Sequence, residues 1–144
     1  MPDYRRYYAP NQSVFITFVT HDRRPWLGYP LNAELLLDAM RRVKEKYPFR
    51  QIAHAVLPDH FHWMFKTPDG ANFSAIASAV KRETTWRLKE RGRSYGTLWQ
   101  ERFYDHVIRD DDDFARHLDY IHFNPVKHGV AASAAEYPHS SFRQ

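Results

Sequence analysis

The stretch FRQIAHAVLPDHFHWMFKTP, residues 49 to 68, constrains the fold more than any other part of this chain. Two runs of β-branched, aliphatic and aromatic residues flank Pro58-Asp59. Such runs are strands, and a connection this short joins antiparallel partners. On the second strand Phe61, Trp63 and Phe65 point one way, while His60, His62 and Met64 point the other. Three large aromatics on one face need a layer of helices over them. The chain is therefore built around an antiparallel sheet, and the two imidazoles lie side by side on the face away from that layer.

The remaining segments fit this core. SVFITFVT (13 to 20) reads as a strand. LNAELLLDAMRRVKEKYP carries a helical stripe at Leu35, Leu36, Ala39, Met40 and Val43, ended by Pro48. Asp69-Gly70 marks a turn, and NFSAIASAVKRETTWRLKERG is helical, with Phe73, Ile76, Ala77, Val80 and Trp86 expected inward and Gly92 near its end. FYDHVIR (103 to 109) is a further strand. DDDDFARHLDYIHFN starts a helix on negative charge, which suits the helix dipole, and Pro125 is expected to stop it just after Asn124. The order is strand, helix, strand, strand, helix, strand, helix. That is an α+β chain with the split βαβ pattern of the ferredoxin-like fold: a four- to five-stranded antiparallel sheet, helices on one face and an added C-terminal helix. The 144 residues suit one domain spanning 1–144, with a basic arm at 1–12 and a weakly patterned tail at 130–144.

Composition narrows the chemistry. The absence of cysteine excludes disulfides and thiolate metal sites. No G-x-x-x-x-G-K-[ST] loop is present, and neither a signal peptide nor a membrane-spanning run appears, so a cytoplasmic protein with no membrane partner is expected. A net charge of +4 beside 4 Trp, 9 Tyr and 10 Phe is compatible with a single-stranded nucleic-acid partner, since cations neutralise phosphates and aromatic faces stack bases. Candidate DNA surfaces are YRRYY, with Arg5 and Arg6, and the run Lys81, Arg82, Arg87, Lys89, Arg91 and Arg93, interleaved with Trp86 and followed by Tyr95. The plain alternative is solvated charged faces. His54, His106, His122 and His128 read as ordinary hydrogen-bonded or surface histidines.

His60-Phe61-His62 has the spacing of two ligands of one metal ion, and equally of two polar sheet residues. In HLDYIHFNPVKHG (117 to 129) Tyr120 and Asn124 share a helix face, with His117 one turn before. A tyrosine hydroxyl, of ordinary pKa near 10, attacks a phosphodiester only where the electrophile is activated. A metal held by His60, His62 and the Asn124 side-chain oxygen would bring that activation beside Tyr120. The alternative is an amphipathic helix whose tyrosine packs inward and whose asparagine caps the end.

LPDHFHWMF, LWQERFYDHVIRDDDDF and YIHFNPVKHGV together resemble the REP-associated tyrosine transposases, relatives of the IS200/IS605-type single-tyrosine transposases in the HUH endonuclease superfamily. The resemblance runs from about residue 13 to the SSF near the C-terminus. It implies that His60 and His62 are metal ligands, that Tyr120 is the nucleophile on a catalytic C-terminal helix, and that Asn124 takes the third-ligand position, where IS200-type relatives carry Gln. It implies Mg²⁺ or Mn²⁺ as cofactor. The implied activity is cleavage and rejoining of single-stranded DNA at REP-type hairpins with a short guide sequence, through a 5′-phosphotyrosine. A monomer with Tyr120 working in cis is expected, a dimer being the alternative. Two rivals stand beside this: a metal-dependent nuclease that uses water, and a non-catalytic ferredoxin-like nucleic-acid-binding protein.

Overall fold

The computed structural model describes residues 12–67, 72–93 and 96–143. Arg5, Arg6, Tyr95 and the Asp69-Gly70 turn lie outside the described residues. The elements are β1 (Ser13–Val19), α1 (Pro30–Lys46), β2 (Arg50–Val56), β3 (His60–Lys66), α2 (Phe73–Glu90), β4 (Tyr104–Val107) and α3 (Asp111–Lys127). Every strand pairing is antiparallel and the sheet order is β2-β3-β1-β4, the ferredoxin-like arrangement read from the sequence.

Strand alternation sends side chains to two separate cores. Val14, Ile16, Phe18, Phe61, Trp63 and Phe65 meet Leu35, Leu36, Met40 and Val43 of α1 and Phe73, Ile76, Val80 and Leu88 of α2. On the other face Phe15, Ala53, Ala55 and Met64 meet Ile121, Phe114 and Leu118 of α3. The pair α1 and α2 thus covers one face, and the added helix covers the face that carries the histidines. His60 and His62 are consequently buried, 5% and 4% exposed, rather than open to solvent.

Two local expectations need correction. Trp86 does not point inward: it is 58% exposed, because α2 buries Val80, Thr84 and Leu88, and position 86 lies about 200° around the helix from Thr84. Thr84 is tolerated in the core because its hydroxyl donates to the Val80 carbonyl. Nor does Pro125 stop α3. The helix continues to Lys127, with Pro125 buried inside it, and closes at Gly129 in the left-handed region (φ 71°). A proline in the last turn forfeits one N–H donor, whereas His128, Gly129 and Val130 still donate to the carbonyls of Asn124, Val126 and Pro125.

The C-terminal tail packs along the outer edge of β2. Val56 N–H donates to the His139 carbonyl, the Tyr137 hydroxyl donates to the Val56 carbonyl, and Ala55 bridges Ser140. A strand edge that would otherwise expose backbone donors is covered this way.

Candidate nucleic-acid active site

β3 and α3 deliver His60, His62 and Tyr120 to one cleft of about 610 Å³, whose walls also include Phe15, Thr17 and His117, with Asn124 buried behind it. The ring nitrogens of the two histidines are held in matching ways. His60 Nδ1–H donates to Asp59 Oδ1 at 2.7 Å, and His62 Nδ1 lies 2.8 Å from Thr17 Oγ1. Both Nε2 atoms are thereby left for the space under α3, the orientation that carboxylate and hydroxyl partners impose on metal-binding histidines. His60 Nε2 lies 3.0 Å from Asn124 Oδ1. Among the described residues, His62 Nε2 and Asn124 Nδ2 are buried and have no hydrogen-bond partner. An unpartnered imidazole nitrogen and a carbonyl oxygen facing an acceptor nitrogen are costly to bury unless a cation or proton is shared among them.

Electrostatics keep His62 in a ligand-competent form. Burial, reinforced by His60, His128 and Lys127, lowers the His62 pKa to about 3, so its ring is neutral near pH 7. Burial alone would raise the Asp59 carboxyl, but hydrogen bonds from His60 and from Arg23 outweigh it and hold it below the usual carboxylate range. Tyr120 is 39% exposed, and its ring stands edge-on to His62 with centroids 5.1 Å apart. Lys127 Nζ lies 5.2 Å from the Tyr120 ring centroid, and Arg23 and Arg116 complete the cationic wall of the cleft. Tyrosine, histidines and asparagine meet within one chain.

The sequence profile of the family described as "Transposase IS200 like" matches residues 9–124. The chain belongs to the IS200-like transposase family. A REP-associated tyrosine transposase of Escherichia coli K12 is 34% identical over 145 residues, spanning 100% of this chain and 84% of that protein. A Haemophilus influenzae protein provisionally given the same name is 36% identical over 155 residues, or 100% and 87%. A solved REP-associated tyrosine transposase bound to a REP hairpin superposes with a TM-score of 0.88 at 34% identity, over 99% of this chain and 84% of its own. A Deinococcus radiodurans structure at 18% identity shares the fold (TM-score 0.60, 83% and 95%).

In this transposase several cleft residues carry no sequence signal of their own. Thr17 faces His62 because β1 and β3 pair in that register. Arg23 reaches the cleft from a turn in which Asp22 and Arg23 both take positive φ, 54° and 52°, and it bonds Asp59 at 3.2 Å. His128 stands edge-on to His60, with ring centroids 4.9 Å apart, and Tyr104 enters from β4. Asp59 alone was findable, since it immediately precedes His60.

The candidate DNA cations fall elsewhere. α2 lies behind the sheet, on the face opposite the cleft. Lys81 donates to the Gln100 carbonyl, Arg87 pairs with Glu83 and Arg93 donates to Asn32, so these three are engaged within the chain. Arg82, Trp86, Lys89 and Arg91 are exposed, and Trp86, Arg87 and Arg91 line a shallow groove with Arg42. Of the other histidines, His54 is buried, with Nδ1 against Gln51, and His122 bonds Ser141. His106 bonds Asp113, which also meets His117.

Proposed function

We propose that this transposase cleaves and rejoins single-stranded DNA at REP-type hairpins through a 5′-phosphotyrosine on Tyr120. The observation that carries the reading is the packing of Tyr120 against His62, beside the convergent Nε2 atoms and Asn124 Oδ1. The named relatives, one of them bound to a REP hairpin, support the substrate class.

The donors suit a divalent cation. His60 and His62 have Nδ1 engaged and Nε2 available, and Asn124, shorter than the Gln of IS200-type relatives, still reaches His60 with its oxygen. His60, His62 and Asn124 would hold Mg²⁺ or Mn²⁺, which when bound polarises a phosphate oxygen. Imidazole alone favours softer ions, and phosphate oxygens supply the harder ligands. The chain's own residues do the rest. Arg23, Arg116 and Lys127 neutralise the strand's phosphates, and Phe15 backs the tyrosine ring at 6.1 Å. Tyr120 attacks phosphorus, releasing a 3′-hydroxyl, and a DNA 3′-hydroxyl later displaces the tyrosine. The bond energy is kept in the covalent intermediate, so no nucleotide hydrolysis is required.

Incubation of single-stranded hairpin DNA with Mn²⁺, followed by a denaturing gel, tests this. Protein-linked DNA is expected from the native chain and none from Tyr120→Phe. Cleavage without linked DNA, retained by Tyr120→Phe, would establish the water mechanism instead. Hairpin binding with no nicking under any divalent ion would leave only a binding protein. Because Tyr120 meets its own chain's His62, mixing His60→Ala with Tyr120→Phe is expected to stay inactive, and restored activity would contradict a cis site.

A further inference from the structure

The tyrosine mechanism needs an acceptor for the phenol proton. His117 stands one turn before Tyr120 on α3, and its two nitrogens have different surroundings. Nδ1 lies 2.8 Å from the Asp113 carbonyl oxygen and 3.1 Å from Asp113 Oδ1, so Nδ1–H donates there and the neutral ring keeps its lone pair on Nε2. The ring forms part of the cleft wall. Phe15 packs against both His117, at 4.9 Å, and Tyr120, at 6.1 Å, so one apolar side chain supports both rings. Helical side chains lean toward the N-terminus, which carries the Tyr120 ring back over the turn bearing Arg116 and His117.

Asp113 is built to hold that imidazole. It is 1% exposed, and its Oδ2 accepts from His106 Nε2 at 2.8 Å and from the Arg109 backbone N–H at 2.9 Å. His106 and His117 stack nearly parallel, 4.6 Å apart at 14°. The donor atoms of His106, Asp113 and His117 lie within 4.8 Å of one another, as in a metal site. Both carboxylate oxygens are already engaged, however, and Arg109 and Arg116 approach them at 3.7 and 3.6 Å, which disfavours a further cation. The trio reads as a hydrogen-bonded relay.

We propose that His117 accepts the Tyr120 proton during attack, with Asp113 as its positioning residue; this rests on Tyr120 being the nucleophile. As the Oη–P bond forms, the Oη proton passes to His117 Nε2, the P–O3′ bond breaks, and O3′ takes a proton from solvent. On rejoining, the attacking 3′-hydroxyl gives its proton to water, its oxygen bonds phosphorus, and His117 returns a proton to the departing phenolate oxygen.

Single-turnover formation of protein-linked DNA, followed against pH, is the test. The titratable and charged groups around His117 are Asp113 and His106 in contact with it, Arg109 and Arg116 on that carboxylate, and, sharing its cleft, Tyr120, Lys127 and His128 at the α3 end, His60 and His62 on β3, Tyr104 on β4 and Arg23; β1 presents Phe15. His117→Gln is expected to lose about 10²- to 10⁴-fold at neutral pH, the usual worth of a positioned base. With the positioned base gone, hydroxide from solvent must take the proton, so its rate should rise with pH more steeply than the native rate does. Added imidazole should restore His117→Ala but not Tyr120→Phe. A His117→Gln profile that matches the native one overturns the proposal, as does an equal loss at every pH without imidazole rescue, which is the signature of a structural role. Nicking by Tyr120→Phe would instead remove the tyrosine reading beneath it.

Discussion

His60 and His62 sit two residues apart on one strand face, yet each owes its orientation to a different partner. Asp59 comes from the hairpin turn and Thr17 from the neighbouring strand. The pair itself was legible because alternation alone puts them together, and Tyr120 and Asn124 were legible because a four-residue spacing places them on one helix face. Thr17 was not, since strand register is a tertiary fact, and Arg23 was not, since nothing in its residue type announces a positive φ. His54 gives a test at this scale. Burial, then the nearby His122, Arg41 and His139, lower its pKa from 6.5 to about 4. Above about pH 6.5 neither folded nor unfolded chain is protonated there. Below it the unfolded chain takes up a proton that the fold refuses, so stability falls as pH drops from about 6.5 to about 4, at up to about 1.4 kcal/mol per pH unit. Urea unfolding across that range should show a shallower slope for His54→Gln; an unchanged slope would mean that the ring is not held neutral.

α3 is the element on which the site depends, since it supplies Tyr120, Asn124, His117 and Lys127 at once. Its start is fixed by Asp110, whose side chain accepts from the Asp113 backbone N–H at 2.8 Å. Asp110→Ala is expected to cost about 1 kcal/mol and to lower the melting temperature by a few degrees. Calorimetry that shows no shift would mean that the cap is dispensable. The helix was legible in its acidic start and in the four-residue spacing of Tyr120 and Asn124, but its end was misjudged. Pro125 is a stop signal in an isolated chain, whereas here the packing of a buried last turn outweighs one lost donor. α2 shows the converse: Trp86 looks like core by its size, and only the phase of the stripe through Thr84 turns it outward.

Across the whole molecule the sheet separates two jobs. One face, under α1 and α2, holds the larger aromatic core, and the other, under α3, holds the smaller core and the cleft. The fold's topology was legible from element order and alternation, whereas the docking of the tail on β2 was not, because it is held by hydroxyls of Tyr137 and Ser141 on the β2 backbone, one backbone hydrogen bond and one bridge, none of which leaves a period in the sequence. Arg23→Ala, Arg116→Ala or Lys127→Ala should each weaken single-stranded DNA binding for all sequences and reduce the salt slope by about 1, measured by fluorescence anisotropy over a salt series. The exposed Arg82, Trp86 and Arg91 lie behind the sheet, so a DNA that touches them as well must pass around its edge. Loss of affinity in Trp86→Ala would support that longer path.

The central claim concerns which side chain becomes covalently attached. Among the described residues two tyrosines line the cleft: Tyr120, against His62, and Tyr104, whose ring meets Phe15 at 6.2 Å. Mass spectrometry of proteolysed, nuclease-trimmed protein-linked DNA locates the attachment directly. A nucleotide 5′-phosphate on the peptide that carries Tyr120 is the expected result. The same mass on the peptide that carries Tyr104 would contradict the account.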